Sequence, residues 1–399
     1  MGVMIFAQLD RNGLVRVALV ASTMFWLTAG HASGACRAGS AAETRALSPQ
    51  SAPPETPETP AQLWQRGERH AAIEAWKVQL ATGVGHATDR LELAQCQMQV
   101  HQYRDACSTL ASLLNGQLAQ ADEIPARARS LAGRARVALC EYGPALELLV
   151  ESGEEGRMRV HCLLRLNRSQ EADEALARLL AGAKPAPRDL HKLEASRLSR
   201  IGNHALAADH YERLYAEDPF DPEVLFGLAQ ALIRTKRRER GLTLLQRHRE
   251  LTPLFDQLDF AQRGVDLSPI HAPNHARVGE LERQIGRVKR AKHAYETALT
   301  LAQPSELTSI ALRLARLQHE DLDRTVDALS TLESAAKRQP DVRLHVRRGD
   351  LYCAIGRYED AASAYRSGLE LRPTDRAIQE RLTRAAKQAQ DSSADDGSR

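Results

Sequence analysis

A pattern of small and large residues returns along this chain at a near-constant interval, and such a return constrains the fold more than composition does. It is clearest in Gly349, Tyr352, Gly356, Tyr358, Ala361, Tyr365, Gly368 and Pro373. With Gly349 set as position 8 of a unit, Gly356 falls at 15, Ala361 at 20, Tyr365 at 24 and Pro373 at 32. The register recurs at Gly279, Gly286, Ala291, Tyr295 and Ala298, and again at Ala195, Gly202, Ala207, Tyr211 and Pro219. Position 20 runs through Ala72, Ala106, Ala145, Ala172, Ala207, Gly241, Ala291, Ala328 and Ala361, at spacings of 34, 39, 27, 35, 34, 50, 37 and 33 residues. This predicts nine helical hairpins. The anchors are small because two helices cross closest at positions 8 and 20, and bulk there would force them beyond the roughly 8–10 Å of normal packing. Position 24 is large (Trp76, Leu110, Tyr211, Leu245, Tyr295, Leu332, Tyr365) and fills the gap to the next hairpin. Prolines at position 32 (Pro219, Pro253, Pro340, Pro373) are expected to stop the second helix.

This register resembles that of the tetratricopeptide repeat family. The resemblance implies an all-α fold, a right-handed superhelical solenoid of about nine hairpins over residues 61–373, clearest over 188–373. It also implies a binding surface rather than an enzyme. In that family the first helix of each hairpin lines a concave groove. Carried onto this chain, the groove positions are Lys192 and Arg200, then Phe226, Gln230, Ile233 and Arg234, then Glu280, Arg283 and Gln284, then Arg313, Glu320 and Asp321, and last Arg343 and Asp350. Phe226 is the natural anchor, since an aromatic exposed in a groove is a frequent hot spot. Gln230 can bond a partner's backbone, and Arg200, Arg234 and Arg283 suit acidic groups. The paired Asn and Lys with which some members clamp a terminal carboxylate do not occur at these positions.

The period slips between Pro253 and Pro269. Phe255, Leu258, Phe260, Ala261 and Val265 fall at helical spacing, which predicts a short extra helix inserted between the sixth and seventh hairpins. Residues 374–389, with Ile378, Leu382 and Ala386, read as a terminal helix capping the open apolar end of the stack. The polar tail 390–399 reads as disordered. The one dense basic run, Lys236, Arg237, Arg238 and Arg240, falls at the turn of the sixth hairpin and reads as a solvated corner, with a docking site for an acidic partner as the alternative.

The N-terminus reads as a targeting segment. Arg11 and Arg16 precede an apolar run from Val17 to Gly30, followed by Ala32, Ser33, Gly34 and Ala35, the order of a secretory signal over 1–35. The run is shorter than the roughly 20 residues of a spanning helix. Cys36 stands where bacterial lipoproteins carry their lipid-acceptor cysteine, although Ser33 departs from that pattern, so cleavage alone and lipid attachment at Cys36 both remain open. Residues 36–60 form a Pro-rich linker. The expected location is the periplasm or cell envelope, with membrane contact only through the N-terminal segment or a lipid. Beyond Cys36 lie Cys96, Cys107, Cys140, Cys162 and Cys353 without paired spacing, expected as small buried thiols.

Chemistry is sparse. The chain lacks Cys-x-x-Cys, His-Glu-x-x-His, Gly-x-Ser-x-Gly and a phosphate loop. His271 and His275 are four apart, but Pro273 between them argues against a helical metal pair. No cofactor and no catalytic residue is expected. With 54 Lys plus Arg against 51 Asp plus Glu, the net charge of +3 lacks the strong basic excess of a nucleic-acid binder. The expected partner is a protein or peptide, with an acidic and partly apolar segment.

Overall fold

The repeat register becomes a run of helical hairpins. In the computed structural model, which describes residues 58–83, 86–114, 123–151, 153–182 and 187–396, nineteen helices follow one another and no strand occurs among those residues. The hairpins are α1 (Pro60–Gln65) with α2 (Arg69–Ala81), α3 (Ala87–Gln99) with α4 (Tyr103–Leu114), and α5 (Glu123–Ala138) with α6 (Tyr142–Leu146). Then come α7 (Gly153–Arg165) with α8 (Ser169–Gly182), α9 (Arg188–Arg200) with α10 (His204–Glu217), and α11 (Pro222–Arg234) with α12 (Arg238–Leu267). The last are α13 (Ala272–Ile285) with α14 (Val288–Leu301), α15 (Pro304–Glu320) with α16 (Thr325–Arg338), and α17 (Val342–Ala354) with α18 (Tyr358–Leu371). A final helix, α19 (Arg376–Asp396), packs Ile378 and Ala385 against Ala361, Ala362 and Tyr365. It runs past Ala389, so the segment read as a disordered tail is helical to Asp396. The signal segment, Cys36 and nearly all of the linker lie outside the described residues.

Local chemistry sets the helix ends. Thr59 and Gln62 exchange bonds in a capping box before Pro60, and Asp221 and Asp341 accept from the first free amides of α11 and α17. Position 15 is the hairpin turn. Gly67, Gly202, Gly286 and Gly356 take positive φ there, and so do His101, Cys140, Asn167 and Asp323 at the equivalent position of hairpins without the glycine. The left-handed turn is therefore a property of the hairpin, imposed even on residues that adopt it at a cost. It also places Cys140 on the surface, which corrects the expectation of a buried thiol there. The five described cysteines are free, Cys96 and Cys162 buried, Cys107 and Cys353 partly so. Burial pushes the Cys96 thiol up to about 12.

The core sits at the crossings. Ala72, Ala106, Ala145, Ala207, Ala291, Ala328 and Ala361 are fully buried. At Gly349 an added Cβ would lie 2.4 Å from Tyr365 Cε1, so position 8 and position 24 fit edge to edge within one hairpin. The tyrosine hydroxyl then needs a partner, and position 9 supplies it: Tyr365 donates to Asp350 and Tyr295 to Glu280, each at 2.8 Å. Asp350 and Glu280 are thus occupied with the core rather than held out for a ligand.

Hairpin six departs from the pattern in two ways. Its turn lacks the left-handed residue; Thr235 is extended there (φ −98°, ψ 160°). Its second helix does not stop at Pro253. Instead of a separate inserted helix, α12 is one helix of 30 residues with Pro253 inside it. Thr252 and Pro253 look like a helix start, yet Thr252 Oγ1 donates back to the His248 carbonyl at 2.8 Å, a mid-helix bond rather than a cap. The extension packs Leu254, Leu258, Ala261 and Val265 on Val278, Leu281 and Ala294 of hairpin seven. Its far end reaches hairpins one and two. Leu267 joins the cluster of Ala72, Ile73 and Trp76, Ile270 abuts Gly67, and His101 Nε2 lies 3.0 Å from Asp266 Oδ2 across 165 residues of sequence.

Candidate functional site

The first helices α7, α9 and α11 and the second helix α12 border two adjoining cavities. One, of about 990 Å³, is bounded by α11 and α12 with Ser199 and His204. The other, of about 890 Å³, extends over α7 and α9. They share Ser199, Phe226 and Gln230, so together they form one trough with Phe226 at its middle.

The sequence of α11 explains why Phe226 stands there. Val224, Leu225, Leu228, Ala229 and Leu232 are buried in the core of hairpins five and six. Phe226, Gln230 and Arg234, four apart, occupy the remaining stripe. Phe226 keeps 41% of its surface exposed, and its ring lies 5.3 Å from that of His248 on α12. Gln230 is exposed and makes no hydrogen bond among the described residues.

The two cavities differ in charge. The α11–α12 cavity is lined by Arg234, Arg238 and Arg249, with no aspartate or glutamate. These three arginines are exposed and enter no ion pair or hydrogen bond among the described residues. The α7–α9 cavity mixes Glu154, Asp189 and Glu223 with Arg157, Arg165, Lys192 and Arg200. Lys192 bonds Asp221 at 3.2 Å and Glu223 at 2.7 Å. Burial alone would lower its pKa, but these carboxylates outweigh it and hold it raised. Arg200 reaches back to Ser169 at 2.6 Å and Asp173 at 3.0 Å. His161, pressed against Tyr142, has its pKa lowered by burial and then by Arg165.

The sequence-read site therefore divides. Lys192, Arg200, Phe226, Gln230 and Arg234 come together in the trough. Arg283, Gln284 and Arg313 line neither cavity. Arg283 is held by Asp321 at 2.6 Å and Glu320 at 3.5 Å, and Gln284 donates to Glu280 at 2.9 Å. Arg313 is exposed on α15. Glu320 also pairs Arg316 and Arg347, and Arg343 turns to Asp341, so the acid–base pairs of hairpins seven to nine satisfy one another. The basic run divides as well. Arg237 and Arg240 both pair Glu212, at 3.0 and 2.7 Å, whereas Arg238, exposed, lines the cavity. His248 and Arg249 were not legible, because they lie on a second helix, outside the positions the resemblance marks.

No group of three potential metal ligands occurs among the described residues, and His275 is spent on the Pro269 carbonyl at 2.7 Å. No helix there is long and apolar enough to cross a membrane.

Comparison with known proteins agrees with the fold. A family model described as a tetratricopeptide repeat-like domain matches residues 277–387, and one described as a tetratricopeptide repeat matches 202–259, the stretch that carries Phe226, Gln230, Arg234 and Arg249. The chain is 30% identical over 177 residues to anaphase-promoting complex subunit 7 of Arabidopsis thaliana, covering 44% of this chain and only 31% of that relative. Among solved structures it is similar to the hetero-tetramer Cut9-Hcn1 of the same kind of complex, at 11% identity, TM-score 0.28, and 82% and 88% of the two chains. It is also similar to Naa15/Naa10 bound to HypK-THB, at 17% identity, TM-score 0.34, and 82% and 54% of the two chains. Residues 202–259 and 277–387 of this chain are thus similar to tetratricopeptide repeats.

Proposed function

We propose that the chain is a non-catalytic scaffold that holds a segment of a protein partner in the trough of hairpins four to six. The observation that carries this reading is Phe226, an aromatic left 41% exposed between two adjoining cavities while its neighbours Leu225 and Leu228 are fully buried. Aromatic anchors seated in concave surfaces dominate binding energy. Around it stand an amide, Gln230, and guanidiniums that have no partner among the described residues, the groups that bond an extended backbone and acidic side chains. The partner segment is acidic and partly apolar. Nucleic acid is disfavoured, because Glu154, Asp189 and Glu223 border the same trough.

The segment before Cys36 supports export, which would put the scaffold in the periplasm or envelope. Attachment of a lipid to Cys36 is the alternative to plain cleavage. Mass spectrometry of the mature N-terminus separates the two.

The trough is tested by a photo-crosslinking amino acid placed at Gln230 and, as control, at Val326, which is 75% exposed on α16. Capture of a discrete protein from Gln230 and not from Val326 supports the reading. Equal capture from both positions rejects it.

A further inference from the structure

The two ends of the trough differ in their charged lining. Arg234, Arg238 and Arg249 line one cavity without a carboxylate among its lining residues. Elsewhere in the same hairpins several cations close to the trough are matched: Lys192 by Asp221 and Glu223, Arg200 by Asp173, Arg237 and Arg240 by Glu212; Arg157 and Arg165 share their cavity with Glu154, Asp189 and Glu223. The irregular turn of hairpin six sets Arg234 at its entry and Arg238 at its exit.

We infer that this end is a subsite for two or more carboxylates of an acidic protein segment, and that it fixes the direction in which the partner lies. The inference rests on the reading of the trough as a protein-binding surface. Guanidinium forks match carboxylates in bidentate geometry. The floor beside them is apolar, from Phe226, Ile233 and Leu245, and an apolar wall strengthens a charge pair that a partner covers. The other end mixes Glu154, Asp189 and Glu223 with Arg157, Arg165, Lys192 and Arg200, so a carboxylate there meets like charge as well as cations, and the carboxylate-free lining over α11 and α12 attracts it more. The partner's acidic cluster therefore sits over α11 and α12, its apolar residue on Phe226, and its less acidic continuation over α9 and α7.

The test pans a random twelve-residue peptide library on the full chain, on Phe226→Ala, and on the triple variant Arg234→Gln, Arg238→Gln, Arg249→Gln. None of the three arginine side chains bonds another residue among the described residues, so the triple variant should melt with the parent. Peptides enriched on the parent should carry clustered Asp or Glu next to an apolar residue. The triple variant should bind them at least about tenfold more weakly and lose the acidic enrichment, while Phe226→Ala loses the apolar one. A benzophenone at the acidic end of a selected peptide should label residues 222–267, not 153–165. An acidic bias that is absent, or that survives the triple variant, overturns the subsite but leaves the trough standing. Labelling of 153–165 overturns the direction. Peptides insensitive to Phe226→Ala, or a library that yields no enrichment, overturn the trough itself. Polyuridylate displacing the peptides in a salt-dependent way would instead mark a nucleic-acid surface.

Discussion

The phenyl ring of Phe226 lies 5.3 Å from the imidazole of His248, tilted by 44°, so the exposed aromatic of α11 is steadied by the helix that follows it in sequence. An anchor held in place before binding loses less side-chain freedom when a partner arrives. Phe226→Ala should weaken a trough-binding peptide by about 2 kcal/mol or more, the range of a hot spot, with no fall in melting temperature. His248→Ala should weaken it less, because it removes the support and not the anchor. Isothermal titration calorimetry with one panned peptide ranks the two.

At the ninth hairpin the crossing of α17 and α18 has no room for a methyl group. Gly349→Ala would set Cβ 2.4 Å from the Tyr365 ring, whereas at Gly368 the nearest atom would be 3.6 Å away. Gly349→Ala should destabilise by about 1–3 kcal/mol, as overpacking does. Gly368→Ala should be neutral or stabilise by up to about 1 kcal/mol through helix propensity. Thermal melts of the two variants, which differ by the same methyl group, decide the matter.

The hairpins were legible because one steric rule repeats: a small residue wherever helices cross and a large one four places later. The deviation at hairpin six was not. Pro219, Pro340 and Pro373 do lie just beyond α10, α16 and α18, and each is followed within two residues by an aspartate that starts the next element: Asp221, Asp341 and Asp375. After Pro253 come Leu254 and Phe255, which cap nothing, and Thr252 bonds backwards. The same proline thus sits inside a helix. That Arg283, Gln284 and Arg313 line neither cavity was not legible either, for a different reason. Position rules say which side chains leave the core but not which find an ion partner some 25–38 residues away, as Arg283 does with Asp321 and Arg240 with Glu212.

Glu282 is buried to 7% exposure on α13, with Oε2 unbonded and Arg287 at 3.8 Å. Burial raises its pKa more than the nearby arginines lower it. A carboxyl that holds its proton more tightly folded than unfolded gives stability that is complete below the ordinary carboxylate range and is lost as pH rises through the folded pKa. Glu282→Gln removes that loss. The variant should exceed the parent by up to about 1 kcal/mol at pH 7, and the advantage should shrink as pH falls through the raised folded pKa and be gone below 4.5, the usual value for this group. Urea titrations at pH 4 and pH 7 measure the difference.

The contact between the end of α12 and hairpins one and two should stabilise those hairpins locally. His101 and Asp266 are each about one-third exposed, at 32% and 33%, so their pair is worth no more than about 0.5–1 kcal/mol. Leu267→Ala should cost more, about 1–2 kcal/mol, by leaving a gap beside Ile73 and Trp76. Amide exchange should speed up in α1 and α2 in both Asp266→Ala and Leu267→Ala, more in the latter, and stay unchanged in α15 to α18.

The central claim, that a protein segment lies in the trough of hairpins four to six, is tested most directly by hydrogen–deuterium exchange of the full chain with and without a saturating panned peptide. The account expects new protection in α9, in α11 around Phe226 and Gln230, and in α12 from Arg238 to Thr252, with α13 to α18 unaffected. Protection confined to the first helices of hairpins seven to nine, or to the opposite faces of α8 and α10, would contradict it.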